Sequence, residues 1–220
     1  KSSKVQIVTL THDSMKEVQN YYHVPDNRID IVSCGWEHMN TTTEDDSILN
    51  RLELNDGCEF FFSLGSKYKH KNFRWILESA RYNPKYKFVI TGTGAFSNNE
   101  NELKMVVPKN VIFTGYITNE EIKSLMIHCK ALIQPSLYEG FGLPPLEALS
   151  VGASIVVSNK SCLPEIYKGV AHYIDPYNYN VDLDKLMDES VDNPKIVLDE
   201  YTWERAAAQL LNVLYKEGNR

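Results

Sequence analysis

Six short apolar runs recur along most of this chain, and each gives way to a turn or to helical spacing. They are "CEFFFSLG" (58–65), "YKFVIT" (86–91), "NVIFTG" (110–115), "ALIQP" (131–135), "ASIVVS" (153–158) and "VAHYI" (170–174). Continuous apolar runs this short suit strands covered on both faces. Between them, "NFRWILESARY" (72–82) sets Phe73, Ile76, Leu77 and Ala80 on one helical face. "TNEEIKSLMIHC" (118–129) opens with Thr118 and Glu121 spaced as a capping box and carries Ile122, Leu125 and Met126 as its stripe. "PLEAL" and the shorter "LPEIY" fill later gaps. Strands interleaved with helices pair in parallel through right-handed crossovers. The expected fold class is α/β, a doubly wound parallel sheet of Rossmann-like kind over residues 57–200.

Two flanks lie outside that body. Residues 1–35 read strand, helix, strand: "VQIVTL", "SMKEVQNYY", "IDIVSCG". Residues 36–56 are acidic, polar and threonine-rich, the composition of a linker crossing between domains. Residues 201–220 predict an amphipathic helix with Thr202 as N-cap. Trp203, Ala206, Ala207, Leu210, Leu211 and Leu214 form its apolar face, which needs a surface to dock on. The chain opens on Lys1, which reads as part of a longer protein.

Composition narrows the classes. A net charge of −6 argues against a nucleic-acid surface. No apolar run approaches 18 residues and no leader pattern opens the chain, so no membrane span is expected. The four cysteines form no CxxC pair and the six histidines no HExxH, which predicts reduced thiols, a cytoplasmic setting and no metal site.

Ligands of a parallel sheet sit beyond the carboxyl ends of its strands. The unusual residues cluster in those loops, above all in "LYEGFGLPPLEAL" (137–149). Pro144 and Pro145 suit a first helical turn, since φ is pre-set and the missing N–H is not needed there. A helix is expected to start near them, with Glu147 in its first turn and Glu139 at the loop entrance. Gly140 and Gly142 precede it, where backbone N–H groups are free and the helix dipole is positive. That is a site for a phosphate or for sugar hydroxyls. Carboxylates there would repel phosphate, so they suit the hydroxyls. Singly, Glu147 could merely offset the dipole and Glu139 be solvated. The loop "GSKYKHKN" (65–72) adds Lys67, Lys69, His70 and Lys71, phosphate partners or a solvated basic loop. "TGTG" (91–94) is no dinucleotide loop, because Ser97 stands where the third glycine belongs.

These residues resemble a family. "PSLYEGFGLPPLEAL", "GSKYKHKN", "VIFTGYITNEEIKSLM" and "SNKSCLPEI" are similar to segments of the C-terminal, donor-binding half of retaining GT-B glycosyltransferases of the group 1, family 4 type. Glu139 and Glu147 match its paired-glutamate motif. The resemblance covers about residues 58–215. It implies the C-terminal half of a GT-B architecture, with 1–35 as the end of an N-terminal acceptor domain. It implies a donor that is a nucleotide-diphosphate sugar, UDP- or GDP-linked, without a metal cofactor, and transfer of a hexosyl group with retention to a saccharide or lipid-linked acceptor. The setting implied is bacterial surface polysaccharide assembly, such as lipopolysaccharide or capsule, at or near the inner membrane face.

Carried over by residue, Lys71 would bind the diphosphate and Glu139 the donor sugar, the two counted as catalytic. The backbone of Gly140, Phe141, Gly142 and Leu143 would hold sugar and phosphate. Glu147 would accept from the ribose, Tyr116 and Ile117 would border the base, and Ser66, Thr93 and Gly94 would line the cleft. Relatives often carry arginine where this chain has Ser66 and His70, so phosphate charge would rest mainly on Lys71, helped by Lys67 or the helix N-terminus. With the acceptor wall absent, Phe141 and Leu143 are expected to face solvent, and this chain alone is expected to transfer nothing. A non-catalytic sugar-nucleotide module, a GT-B-type epimerase and a glycoside hydrolase are the alternatives; the last would not need Lys71 or the anion loop.

Overall fold

A computed structural model describes residues 5–55, 57–65, 68–92 and 106–218. Ser66, Lys67, Thr93 and Gly94 lie outside the described residues.

The six apolar runs become β3 (Phe60–Ser63), β4 (Lys87–Ile90), β5 (Val111–Phe113), β6 (Ala131–Gln134), β7 (Ser154–Ser158) and β8 (His172–Ile174). They form one sheet in the order β5-β4-β3-β6-β7-β8, parallel throughout. Because strand side chains alternate, the apolar runs feed two cores. Phe60, Phe62, Val89, Leu132, Ile155 and Val157 enter the core on one face. Phe61, Phe88, Ile90, Ala131, Ile133, Val156 and Ile174 enter the core on the other.

Helices cover both faces. On the second face α3 (Phe73–Tyr82) contributes Trp75, Ile76, Leu77 and Ala80, and α7 (Leu183–Met187) adds Leu183 and Leu186. The first face takes α4 (Asn119–His128), α5 (Leu143–Ser150), α6 (Leu163–Tyr167) and α8 (Lys195–Glu200). The capping box on α4 forms as expected: Glu121 N donates to Thr118 Oγ1 at 3.2 Å, and Thr118 N to Glu121 Oε2 at 2.9 Å. The four cysteines stand unpaired.

The first flank folds as expected. β1 (Ile7–Thr9) and β2 (Ile29–Ile31) pair in parallel, with α1 (His12–Tyr22) as their crossover. The stretch expected as a linker is built into the sheet's own body. It carries a 3-10 turn at Glu37–Asn40 and α2 (Ser47–Arg51), and Met39, Ile48, Leu49 and Leu54 join the first core. Its polar composition hides four well-placed anchors; Arg51 also pairs with Glu121 at 2.7 Å.

The tail forms α9 (Trp203–Gly218), but a different face docks. Ala206 and Val213 are buried, while Trp203, Leu210, Leu211 and Leu214 are exposed. Polar contacts lie on the docked side: Ser33 N and Oγ donate to Gln209 Oε1 at 2.8 and 3.0 Å, and Lys216 pairs with Asp30 at 3.1 Å. Periodicity sees only the apolar residues.

Candidate active site

β3 and β6 are neighbours, yet the chain runs from β3 outward to β4 and β5, then from β6 outward the other way. This is the topological switch point, outside which ligands of open parallel sheets bind. Both loops singled out in the sequence meet there. Beyond β3, a 3-10 turn at Lys69–Lys71 ends in Asn72, in the left-handed region at φ 53°. Asn72 Nδ2 donates to the carbonyls of Pro135 (3.0 Å) and Pro176 (2.9 Å), and Leu137 N donates to His70 O at 2.7 Å. The bonds at Pro135 and Leu137 stitch the β3 loop to the β6 loop, and the one to Pro176 ties it to the segment after β8.

The stitching sets Lys71 Nζ at 2.7 and 2.9 Å from the two carboxylate oxygens of Glu139. Glu139 is not at an open loop entrance: it is only 8 % exposed and also accepts from Gln134 Nε2 at 2.8 Å. A buried carboxylate is stable only when paired and hydrogen-bonded, and here both conditions are met.

Past Glu139 the backbone is anchored by its carbonyls. Gly140 O accepts from Thr11 Oγ1 (3.2 Å) and Ser14 Oγ (3.1 Å) of the first flank. Cys162 Sγ approaches the Glu139 and Phe141 carbonyls at 3.3 and 3.4 Å, and Tyr167 Oη donates to Gly142 O. Burial pushes the Cys162 thiol up to about 12 and Tyr167 well above its ordinary value, so both stay protonated donors at neutral pH. In a trans peptide the N–H points opposite to the C=O. The N–H groups of this loop therefore face away from those anchors.

Gly142 caps α5 at φ 84°, and a Cβ there would come 2.7 Å from Leu163 Cδ2. Phe141 is 3 % exposed, its ring edge-on to Tyr201 at 5.3 Å, and Leu143 packs partly buried on the first core. The expected solvent exposure of Phe141 and Leu143 is thus overturned: α8 and the residue after it supply the cover.

Helix α5 begins at Leu143, so Glu147 lies just beyond its first turn rather than within it. Its side chain, 16 % exposed, meets His38 Nε2 at 2.9 Å. Of the expected base neighbours, Tyr116 is 96 % exposed, while Ile117 is buried in the first core. Gln134, His38, Thr11 and Ser14 were not singled out by sequence. Gln134 left a faint signal, a polar residue closing an apolar strand. His38 left none, being 109 positions from its partner.

Among the described residues, no three His, Cys, Asp or Glu side chains converge as a metal site, and no helix is long and apolar enough to cross a membrane.

This parallel sheet with helices on both faces matches part of the GT-B glycosyltransferase fold. Anabaena HepE, solved in complex with UDP, superposes with a TM-score of 0.75 over 96% of this chain and 64% of that one, at 15% sequence identity. The chain belongs to the glycosyl transferases group 1 family, whose model matches residues 44–214. It is 25% identical to an uncharacterized glycosyltransferase of Methanocaldococcus jannaschii, and 24% identical to the O-antigen chain mannosyltransferase B of Escherichia coli. Each alignment covers 94% of this chain and 59% of the relative, so the chain spans about three-fifths of either.

Proposed function

We propose that this chain is the donor-binding half of a retaining glycosyltransferase that moves a hexosyl group from a nucleotide-diphosphate sugar to a saccharide or lipid-linked acceptor. The observation that carries the reading is the Lys71–Glu139 pair, set at the switch point beside the Gly140–Gly142 loop. The pair is balanced without ligand. A donor exchanges the partners: its diphosphate takes Lys71 and its sugar hydroxyls take Glu139. Lys71 and the N-terminus of α5 then stabilise the departing nucleotide, a role that in other enzymes falls to a divalent ion, so no metal cofactor is required on this reading. Glu147 accepts from the ribose and exposed Tyr116 borders the base. Residues 1–35 end an acceptor-binding domain. The relatives' printed names, which include mannosyltransferases of O-antigen chains, support a hexosyl donor and surface-polysaccharide assembly. UDP in the HepE structure supports a nucleoside diphosphate.

Titration calorimetry with UDP, GDP and the parent nucleosides tests this. Lys71→Ala is expected to weaken the diphosphate about tenfold more than the nucleoside, because a charge-assisted bond to phosphate is lost. EDTA is expected to change neither. Equal losses for both ligands would place Lys71 outside the phosphate site.

A further inference from the structure

We propose that His38 is a positioning residue for Glu147, and that Trp203 fixes the ring form in which it works. The inference rests on the reading of Glu147 as the acceptor for ribose hydroxyls.

Two neighbours decide the imidazole's tautomer. The Trp203 indole N–H can only donate, and it lies 3.2 Å from His38 Nδ1. Nδ1 must therefore present a lone pair. A neutral imidazole then carries its proton on Nε2, which lies 2.9 Å from Glu147 Oε1 and donates to it. The opposite tautomer would set N–H against N–H on one side and a lone pair against a carboxylate on the other. One ring form satisfies both neighbours. A carboxylate has about four acceptor positions, so His38 holds one and leaves room for two vicinal hydroxyls.

His38 itself is fixed from α9. Glu37 accepts from Trp203 N at 3.1 and 3.0 Å and from Trp36 N at 3.0 Å. Gly35 lies so close to this helix end that a Cβ would come 2.1 Å from Trp203 N. Ser33 is bound to Gln209 on the same helix. Residues 33–38 are thus clamped along α9, and His38 reaches from there to α5. Glu147 owes its orientation to the C-terminal helix through one histidine.

The experiment measures the affinity ratio of a ribonucleotide over its 2′-deoxy counterpart, using UDP and GDP with 2′-deoxy-UDP and 2′-deoxy-GDP. A merely structural histidine would weaken all of them alike. The wild-type ratio is expected to be about tenfold, the worth of a hydrogen bond to a charged acceptor. His38→Ala and His38→Asn, which cannot reach Glu147, are expected to cut it to threefold or less. His38→Gln, whose amide can stand in for Nε2–H, is expected to keep it. Trp203→Phe removes the indole N–H that holds the ring at Nδ1, leaving Glu147 alone to select the form, and is expected to lose part of it. In a Glu147→Ala background, His38→Ala is expected to add nothing. If Glu147→Ala itself leaves the ratio intact, the ribose reading of Glu147 falls. If Glu147→Ala abolishes the ratio while His38→Ala spares it, the positioning role falls. A ratio untouched by Trp203→Phe overturns the role of Trp203 in fixing the ring form. Circular dichroism checks that each variant folds; the milder His38→Gln and Trp203→Phe carry the test where His38→Ala does not.

Discussion

Eight positions separate Glu139 from Glu147, yet the loop end and the helix end of this segment are held by opposite means. Glu139 is buried, its charge balanced by Lys71 on the loop after β3 and its second bond supplied by Gln134 at the end of β6. Glu147 rides an established helix, more open, and takes its bond from half-exposed His38 on the segment that joins the flank to the body. The loop end is a charge problem solved locally. The helix end is an orientation problem solved from a distance. Stability should therefore depend on the first, and selectivity for the ribose on the second.

Breaking the charge balance should give the largest effect. Lys71→Met leaves Glu139 buried without a cation and is expected to cost about 3 kcal/mol, at the low end for a broken buried pair because Lys71 is 24 % exposed. Glu147→Ala is expected to cost below about 1 kcal/mol, since its partner is a partly solvated histidine. Urea unfolding of both variants checks this, and similar losses would erase the contrast.

The turn between the two glutamates ranks next. Gly142→Ala forces a Cβ into the left-handed region and against Leu163. About 2 kcal/mol is expected, or about 4–8 °C in Tm for a chain of this size. A melting temperature within a degree of wild type would show that the loop relaxes freely.

The seam of α1 against the loop end should give the smallest effect. Glu165 accepts from His12 N (2.9 Å) and Asp13 N (3.0 Å) at the start of α1. Burial opposes its charge, yet these bonds and the His12 ring hold its carboxyl below the ordinary value of 4.5. The sign follows: a carboxylate depressed in the folded state adds stability above its unfolded value and loses it as pH falls through the folded one. Glu165→Gln is expected to cost about 1 kcal/mol or less at pH 7, given its solvent screening. The gap to wild type should close below about pH 4.5. A gap that widens in acid would contradict the cap.

Much of the body was legible because its cues are local. The apolar runs of Phe60–Phe62 and Ile155–Val157 can only be strands buried on both faces, and their alternation already sorts the two cores. Thr118 and Glu121 announce a helix start through bonds three residues apart. The misread parts share one cause. Ile48 and Leu49 look like stray apolar residues in an acidic stretch until α4 and the sheet cover them. Leu211 and Leu214 promise a docking face, yet both are exposed while Gln209 and Lys216 meet the flank.

The sequence by itself determined the class of fold and the position of the glycine–proline loop ahead of a helix, because both follow from backbone conformation within a few positions; Lys71 stood out from its neighbouring lysines only through the family resemblance. Only the tertiary structure decided that Lys71 closes on Glu139, 68 positions away, that Gln134 supports it, and that His38 and Trp203 stand behind Glu147. Such pairings depend on strand order and helix rotation. The parallel sheet brings the ends of β3 and β6 side by side whatever lies between them in the chain. Which face of α9 docks likewise depends on partners far along the chain, as where Ser33 meets Gln209.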